Sequence, residues 1–183
     1  MNLPNILTVS RIVLIPVFVV AYYLPIDWNY LLCGLIFTIA GATDMLDGYL
    51  ARKLNQSTPF GAFLDPVADK LMVAIALTVI IEYYQSVWVT VPSMIIIGRE
   101  IVVSALREWM AEKGKRDNVS VGNMGKLKTA CQMWSILLLL LGVHGGSYFV
   151  AGMALIYAAA ALTIWSMYLY LTASWVHLFV EED

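Results

Sequence analysis

Apolar residues run along this chain in six blocks, at roughly 10–25, 30–52, 61–84, 89–110, 125–143 and 148–178. Most approach or exceed the roughly 20 apolar residues that carry a helix across a bilayer. The connections are short and polar: "PIDWN", "KLNQST", "YYQSV", "AEKGKRDNVSVGN" and "VHGGS". The pattern predicts an all-α polytopic membrane protein of six transmembrane helices, with 1–183 as a single domain. The last block exceeds one straight crossing, so part of it is expected to lie along the surface or extend beyond the bilayer. No internal repeat is visible, and the connections leave no room for a second soluble domain.

Composition agrees. Of 183 residues, 61% are hydrophobic and 13% charged, the latter about half the usual soluble share. A net charge of -2 gives no case for nucleic-acid binding. Cys33 and Cys131 fall inside apolar blocks without a spacing motif, and read as small packing residues rather than a disulfide or metal site. The first block could pass for a signal peptide. However, no small-residue cleavage site follows it and its length suits a retained span.

Positive charge sets the expected orientation. Arg11, Arg52, Lys53, Lys70, Arg99, Arg107, Lys113, Lys115, Arg116, Lys126 and Lys128 are all the Lys and Arg residues. Threading six spans puts nearly every one at one membrane face, expected to be cytoplasmic with both termini. Trp28, Tyr30, Tyr83, Tyr84, Trp88 and Tyr148 flank the opposite ends, as an interfacial aromatic belt would.

Four aspartates stand out from this apolar background. Asp44 and Asp47 lie three apart near the end of the second block, and Asp65 and Asp69 four apart near the start of the third. Each pair therefore shares a helix face. The short link makes an antiparallel hairpin, so the pairs meet at one depth. Ser57 or Thr58 can cap the third helix, with Pro59 at its first position.

A carboxylate at membrane depth costs roughly 2.5–3.5 kcal/mol, less near the interface. Four together add repulsion. Arg52 and Lys70 offset only part of it. Divalent metal is the simplest compensation, and oxygen ligands with no His or Cys nearby point to magnesium or manganese. Two ions roughly 4 Å apart would suit four carboxylates and phosphoryl chemistry. Plainer uses exist for single residues. Asp65, before Pro66, could be a helix cap; Arg52 could complement a helix C-terminus; Gly48 and Gly61 could be packing glycines. An ion or proton pathway is the rival use for all four carboxylates.

The spacing carries more. From Asp44 the chain reads D-x2-D-G-x2-A-R-x8-G-x3-D-x3-D. This resembles, without a mismatch, the signature of the CDP-alcohol phosphotransferase family, with Asp44, Asp47, Gly48, Ala51, Arg52, Gly61, Asp65 and Asp69 at its eight fixed positions. The resemblance implies a six-helix fold, transfer of a phosphatidyl-type group from a CDP-linked lipid to a second alcohol, and release of CMP. It implies that Asp44, Asp47 and Asp65 hold two Mg2+ or Mn2+ ions, with Asp69 joining them or acting as base toward the acceptor hydroxyl. A homodimer is also expected from it. Gly48, Ala51 and Gly61 lack bulk, so a nucleotide could approach the helix backbone there, beside Asp47 and Arg52.

Three further segments are similar to a bacterial branch of that family. In "LPNILTVSRIVLIPVF", Asn5, Thr8 and Arg11 recur every three residues as a polar stripe. On an interfacial helix at 1–11 they would contact the CDP-lipid's nucleotide or phosphate, or simply snorkel. "IIIGREIVVSALREW" and "VGNMGKLKTACQ" would gather Arg99, Glu100, Arg107, Lys126 and Lys128 at the cytoplasmic side. A basic pocket beside four carboxylates suits an anionic acceptor, with Arg as a fork and Lys as a point charge. Positive-inside bias alone could also explain Lys126 and Lys128. Lys113, Lys115 and Arg116 fit that bias or anionic lipid head groups. The branch implies sn-glycerol 3-phosphate as acceptor and CDP-diacylglycerol as donor, in the bacterial inner membrane with the site facing the cytoplasm. The alternatives are another acceptor (inositol phosphate, serine or a phospholipid) or a divalent-cation or proton transporter.

Overall fold

The computed structural model describes residues 3–54, 59–112, 123–143 and 145–179. Within them, the side chains of Asn5, Asp47, Ala51, Arg52, Arg107 and Lys126, and the surroundings of Gly48, lie outside what is described. The candidate cap at Ser57 or Thr58 also lies outside the described residues.

Six helices form in chain order: α1 Leu3–Tyr23, α2 Asn29–Leu54, α3 Pro59–Tyr84, α4 Val87–Glu112, α5 Asn123–Leu141 and α6 Ser147–Phe179. They match the six blocks, and Pro59 does open α3. Three of them, over Ile6–Tyr23, Val87–Met110 and Ser147–Leu169, are long and apolar enough to cross a membrane by themselves. Charged residues interrupt the apolar runs of α2 and α3, and α5 is shorter. At 33 residues, α6 spans about 50 Å, well beyond a bilayer core of about 30 Å. The chain is an integral membrane protein.

One boundary differs from expectation. The proposed interfacial segment and the first span are one helix from Leu3, interrupted by nothing but Pro16. Asp65 likewise sits inside α3, beyond its first turn, so it is no helix cap. Membrane helices tolerate Pro16, Pro66 and Pro92 because neighbouring groups re-satisfy the freed carbonyls.

Short connections join α1 to α2, α3 to α4 and α5 to α6. Gln85 takes a positive φ of 43° between α3 and α4, where its amide still reaches the carbonyl of Ile81 at 3.0 Å. Between α5 and α6, Gly145 and Gly146 take φ values of 81° and 79°, open to glycine without strain. Gly142 is demanded by proximity: a Cβ there would meet the Phe149 backbone nitrogen at 2.7 Å. Small residues at such contacts let membrane helices pack closely.

Helix α1 packs on both α2 and α3, α4 bridges α3 and α6, and α5 packs on α6 and α2. Phe18, Phe37, Leu77, Ile96, Ile136, Leu139 and Ile156 fill the centre. Cys33 is buried among them and Cys131 half-buried, both as free thiols. Large apolar side chains also cover the outside, among them Val13, Leu35, Met94, Ile101, Trp134 and Ile164. Polar side chains inside and apolar ones outside suit a lipid solvent.

The alternating helices give the bundle two different ends. One carries Tyr22, Tyr23, Tyr30, Tyr83, Tyr84 and Phe149, whose rings follow one another edge-on or tilted at centroid distances of 4.8 to 5.9 Å. Tyr83 and Tyr84 hydroxyls donate to the carbonyls of Val143 and Leu139, tying α3 to the end of α5. Toward the other end lie Asp44, Asp65, Asp69, Lys70, Arg99, Glu100 and Lys128.

Candidate active site

The acidic hairpin of α2 and α3 is held from α1. Thr8 Oγ1 donates to Asp65 Oδ1 at 2.5 Å, and Arg11 Nη1 pairs with Asp44 Oδ1 at 2.8 Å. Thr8 and Arg11 are three residues apart, on one face of α1, and each is only 1% exposed. An arginine buried so fully is costly unless paired, and the Asp44 carboxylate supplies that pairing. The Asp44 side chain remains 45% exposed. Arg11 therefore does not snorkel to a surface, and the Thr8 hydroxyl faces a carboxylate. Each bond engages one carboxylate oxygen and leaves the other available to a ligand. Gly61 is buried on α3.

The opposite side gathers cations around a single acid. On α4, Arg99 Nη1 reaches Glu100 Oε1 at 3.2 Å, and Lys128 Nζ from α5 donates to the same oxygen. Arg99 Nη2 also donates to Ser166 Oγ on α6 at 3.0 Å, and Ser166 in turn donates to the Thr163 carbonyl. Arg99 and Lys128 are buried. Lys70 Nζ, on α3, donates to Ser104 Oγ on α4. Glu100 thus collects two of the expected acceptor-binding cations.

A cavity of about 280 Å³ opens between these two sides. Asp69, Lys70, Arg99, Glu100, Lys128 and Gln132 give it polar walls. Asp69 is the acid that faces it from the aspartate motif. Among the described residues no hydrogen bond or ion pair occupies its carboxylate, while the charges of Asp44, Arg11, Glu100 and Lys70 all act on it. It stands between the two clusters, an acceptor with free lone pairs beside buried cations.

Of the residues that sequence reasoning expected at this end, Asp69, Arg99 and Lys128 line the cavity, while Asp44 and Asp65 are engaged by Arg11 and Thr8 of α1. That reasoning did not single out Ser166, Ser104 or Gln132. A lone Ser or Gln in an apolar block carries no periodic signal. The partners of Ser166 and Ser104 also sit on other helices, chosen by packing.

The donor set has the chemistry of a hard-cation site: carboxylate oxygens, with no His or Cys among them. Among the described residues, no three such groups close up around a single point. Asp47, one of the four aspartates expected to bind metal, has its side chain outside them. Asp44 and Asp65 each keep a second oxygen, and Asp69 both of its oxygens, without a partner among the described residues; in donor chemistry, though not in closure around one point, these suit a hard cation.

Known proteins resemble this chain over most of its length. The family model described as CDP-alcohol phosphatidyltransferase matches residues 1–165. Over 180 residues the chain is 52% identical to the CDP-diacylglycerol–glycerol-3-phosphate 3-phosphatidyltransferase of Pseudomonas fluorescens, covering 97% of this chain and 92% of that protein. The protein of the same name from Yersinia pestis (strain Pestoides F) is 53% identical over 178 residues, covering 97% of both chains. That from Pectobacterium atrosepticum is 54% identical over 177 residues, covering 94% of both.

Proposed function

Because the chain belongs to the CDP-alcohol phosphatidyltransferase family, we propose that it transfers the phosphatidyl group of CDP-diacylglycerol to sn-glycerol 3-phosphate. The products are phosphatidylglycerophosphate and CMP. The relatives named above carry this reaction in their names over nearly the whole chain. The observation that carries the mechanism is the shared cavity, where Asp69 has no partner among the described residues and stands beside Arg99 and Lys128.

In this reading the acceptor's phosphate lies against Arg99 and Lys128, with Arg107 and Lys126 completing the pocket. Arg99 offers forked donors and Lys128 a point charge. Asp69 takes the proton of the acceptor's hydroxyl. The hydroxyl oxygen then attacks the phosphorus that bears the diacylglycerol. The bond from that phosphorus to the CMP oxygen breaks, and CMP leaves with the electron pair. Bound divalent metal, two ions held by Asp44, Asp47, Asp65 and Asp69, would neutralise charge on the diphosphate. Arg11 and Thr8 fix the direction in which Asp44 and Asp65 present their oxygens. Gly48, Ala51 and Gly61 allow the nucleotide close to the backbone, with Arg52 and Asn5 beside it.

Direct attack suffices, since a base and a neutralised leaving group are both at hand. The Lys and Arg distribution supports a cytoplasmic active site with both termini on that side, in a bacterial inner membrane. The lipid tails reach the site sideways from the bilayer. A homodimer is the expected assembly.

The test is CMP release by the purified protein in detergent with CDP-diacylglycerol, magnesium and a panel of acceptors. Release only with glycerol 3-phosphate is expected. Release with inositol phosphate or serine instead would overturn the acceptor. No release with any acceptor or divalent metal, from folded protein, would put a cation or proton transporter first.

A further inference from the structure

Gln132 is 4% exposed, lines the cavity, and its Oε1 has no hydrogen-bond partner among the described residues. Every other polar group discussed at this hollow is explained by a partner or by the reaction. A buried amide oxygen left unmatched is destabilising. Its position makes the cost avoidable. Lys128, Gln132, Ile136 and Leu140 succeed one another at four-residue steps on one buried face of α5. The next residues on that face are apolar, so a Leu or Met at 132 would continue the packing without any orphaned group.

Depth along the helices shows what the amide meets. α3 and α5 both run inward from the charged end, so residue order is also order of depth. Asp69 precedes Val73 on α3, and Lys128 precedes Gln132 and Met133 on α5. All five line the cavity. Gln132 is therefore the polar group at the deep end, one turn below the Lys128 ammonium and beside an apolar floor of Val73 and Met133.

We propose that Gln132 is a specificity-determining residue that binds the C2 hydroxyl of the acceptor. The inference rests on the reaction proposed above. Glycerol 3-phosphate carries a phosphate, which the cations hold, and a primary hydroxyl, the less hindered nucleophile, which Asp69 deprotonates. The secondary hydroxyl remains. A hydroxyl both donates and accepts, and so does a side-chain amide, so the pair is complementary whichever way the amide is turned. A site that hydrogen-bonds a substrate hydroxyl discriminates strongly against the analogue lacking it, because the buried partner is then stranded.

The experiment compares glycerol 3-phosphate with 3-hydroxypropyl phosphate, which keeps the phosphate, the chain length and the primary hydroxyl but lacks the C2 hydroxyl. The wild type should use the analogue with kcat/KM at least about tenfold lower. Gln132→Leu and Gln132→Met should narrow that ratio to within about threefold, while thermal unfolding and CDP-diacylglycerol binding report whether each variant is folded. A variant that merely loosens the bundle would lower both acceptors together and keep their ratio, which overturns the proposal. So does a wild type that uses both acceptors equally, which needs no variant to fold. No turnover of glycerol 3-phosphate by the wild type would overturn the reaction itself, and is distinguishable because it appears before any analogue is compared.

Discussion

On the α1–α2–α3 side of the charged end, α1 supplies one donor each to Asp44 and Asp65, a hydroxyl from Thr8 and a guanidinium from Arg11. On the α4–α5–α6 side the proportions reverse, and Arg99 and Lys128 share the one carboxylate of Glu100. Among the described residues, the first side holds more carboxylates than cations and the second more cations than carboxylates. Buried charge is expensive, so each side keeps just enough counter-charge to hold its groups in place. The surplus on each side is what a ligand can use, a metal-bridged diphosphate on one and a phosphate monoester on the other. Asp69 stands where the two surpluses meet.

The sharpest way to break this comparison is to remove the group between the two sides. Asp69→Asn keeps the shape and deletes the base. CMP release should fall by at least about a hundredfold, the low end of what a general base contributes, while CDP-diacylglycerol binding stays largely intact. Normal turnover would remove Asp69 from the mechanism. Next in size is Lys128→Met, which deletes one cation of the positive side. The acceptor's KM should rise roughly 10- to 100-fold, as expected for losing a charge-assisted contact, with the KM for CDP-diacylglycerol little changed. Equal rises in both would mean that the two sides do not divide the substrates.

Much of this was legible before any coordinates. Six apolar blocks became six helices because backbone groups in lipid leave a chain little choice but to form them. The aspartate spacing put Asp65 and Asp69 on one face of α3, and the charge of Asp44 on α2 acts on Asp69. The partners of the polar residues on α1 were not legible, for a physical reason. Asn5, Thr8 and Arg11 look like a stripe that faces an interface, but Thr8 and Arg11 are buried because Asp65 and Asp44, on other helices, are there to receive them. Polarity along one helix cannot reveal a partner on another. Ser166 was invisible for the same reason: its use depends on α6 packing beside α4, and nothing in the run "LTIWSMYLY" predicts that.

The positioning bonds give smaller tests, one for each side. Thr8→Val keeps the volume and removes the donor to Asp65. Asp65 then loses one of the contacts that orient it, worth roughly 1 kcal/mol. The magnesium concentration for half-maximal CMP release should rise about fivefold, and the acceptor's KM should stay put. A change in the acceptor's KM instead would show that Thr8 serves the positive side.

Ser166→Ala is the mirror experiment and the gentlest. It removes the hydroxyl that receives Arg99 Nη2, but Arg99 keeps its contact with Glu100. The guanidinium is loosened rather than released, so the loss should fall below that of an average hydrogen bond, about 1 kcal/mol. The acceptor's KM should rise roughly two- to threefold, with the magnesium requirement unchanged. Steady-state titrations of acceptor and metal on the same preparation measure both. The pattern across the pair matters more than either value. If Thr8→Val moves only the metal requirement and Ser166→Ala only the acceptor's KM, the two clusters act as separate binding sides. If each variant moves both parameters, the charged end responds as one network through Asp69, and the division into two sides fails.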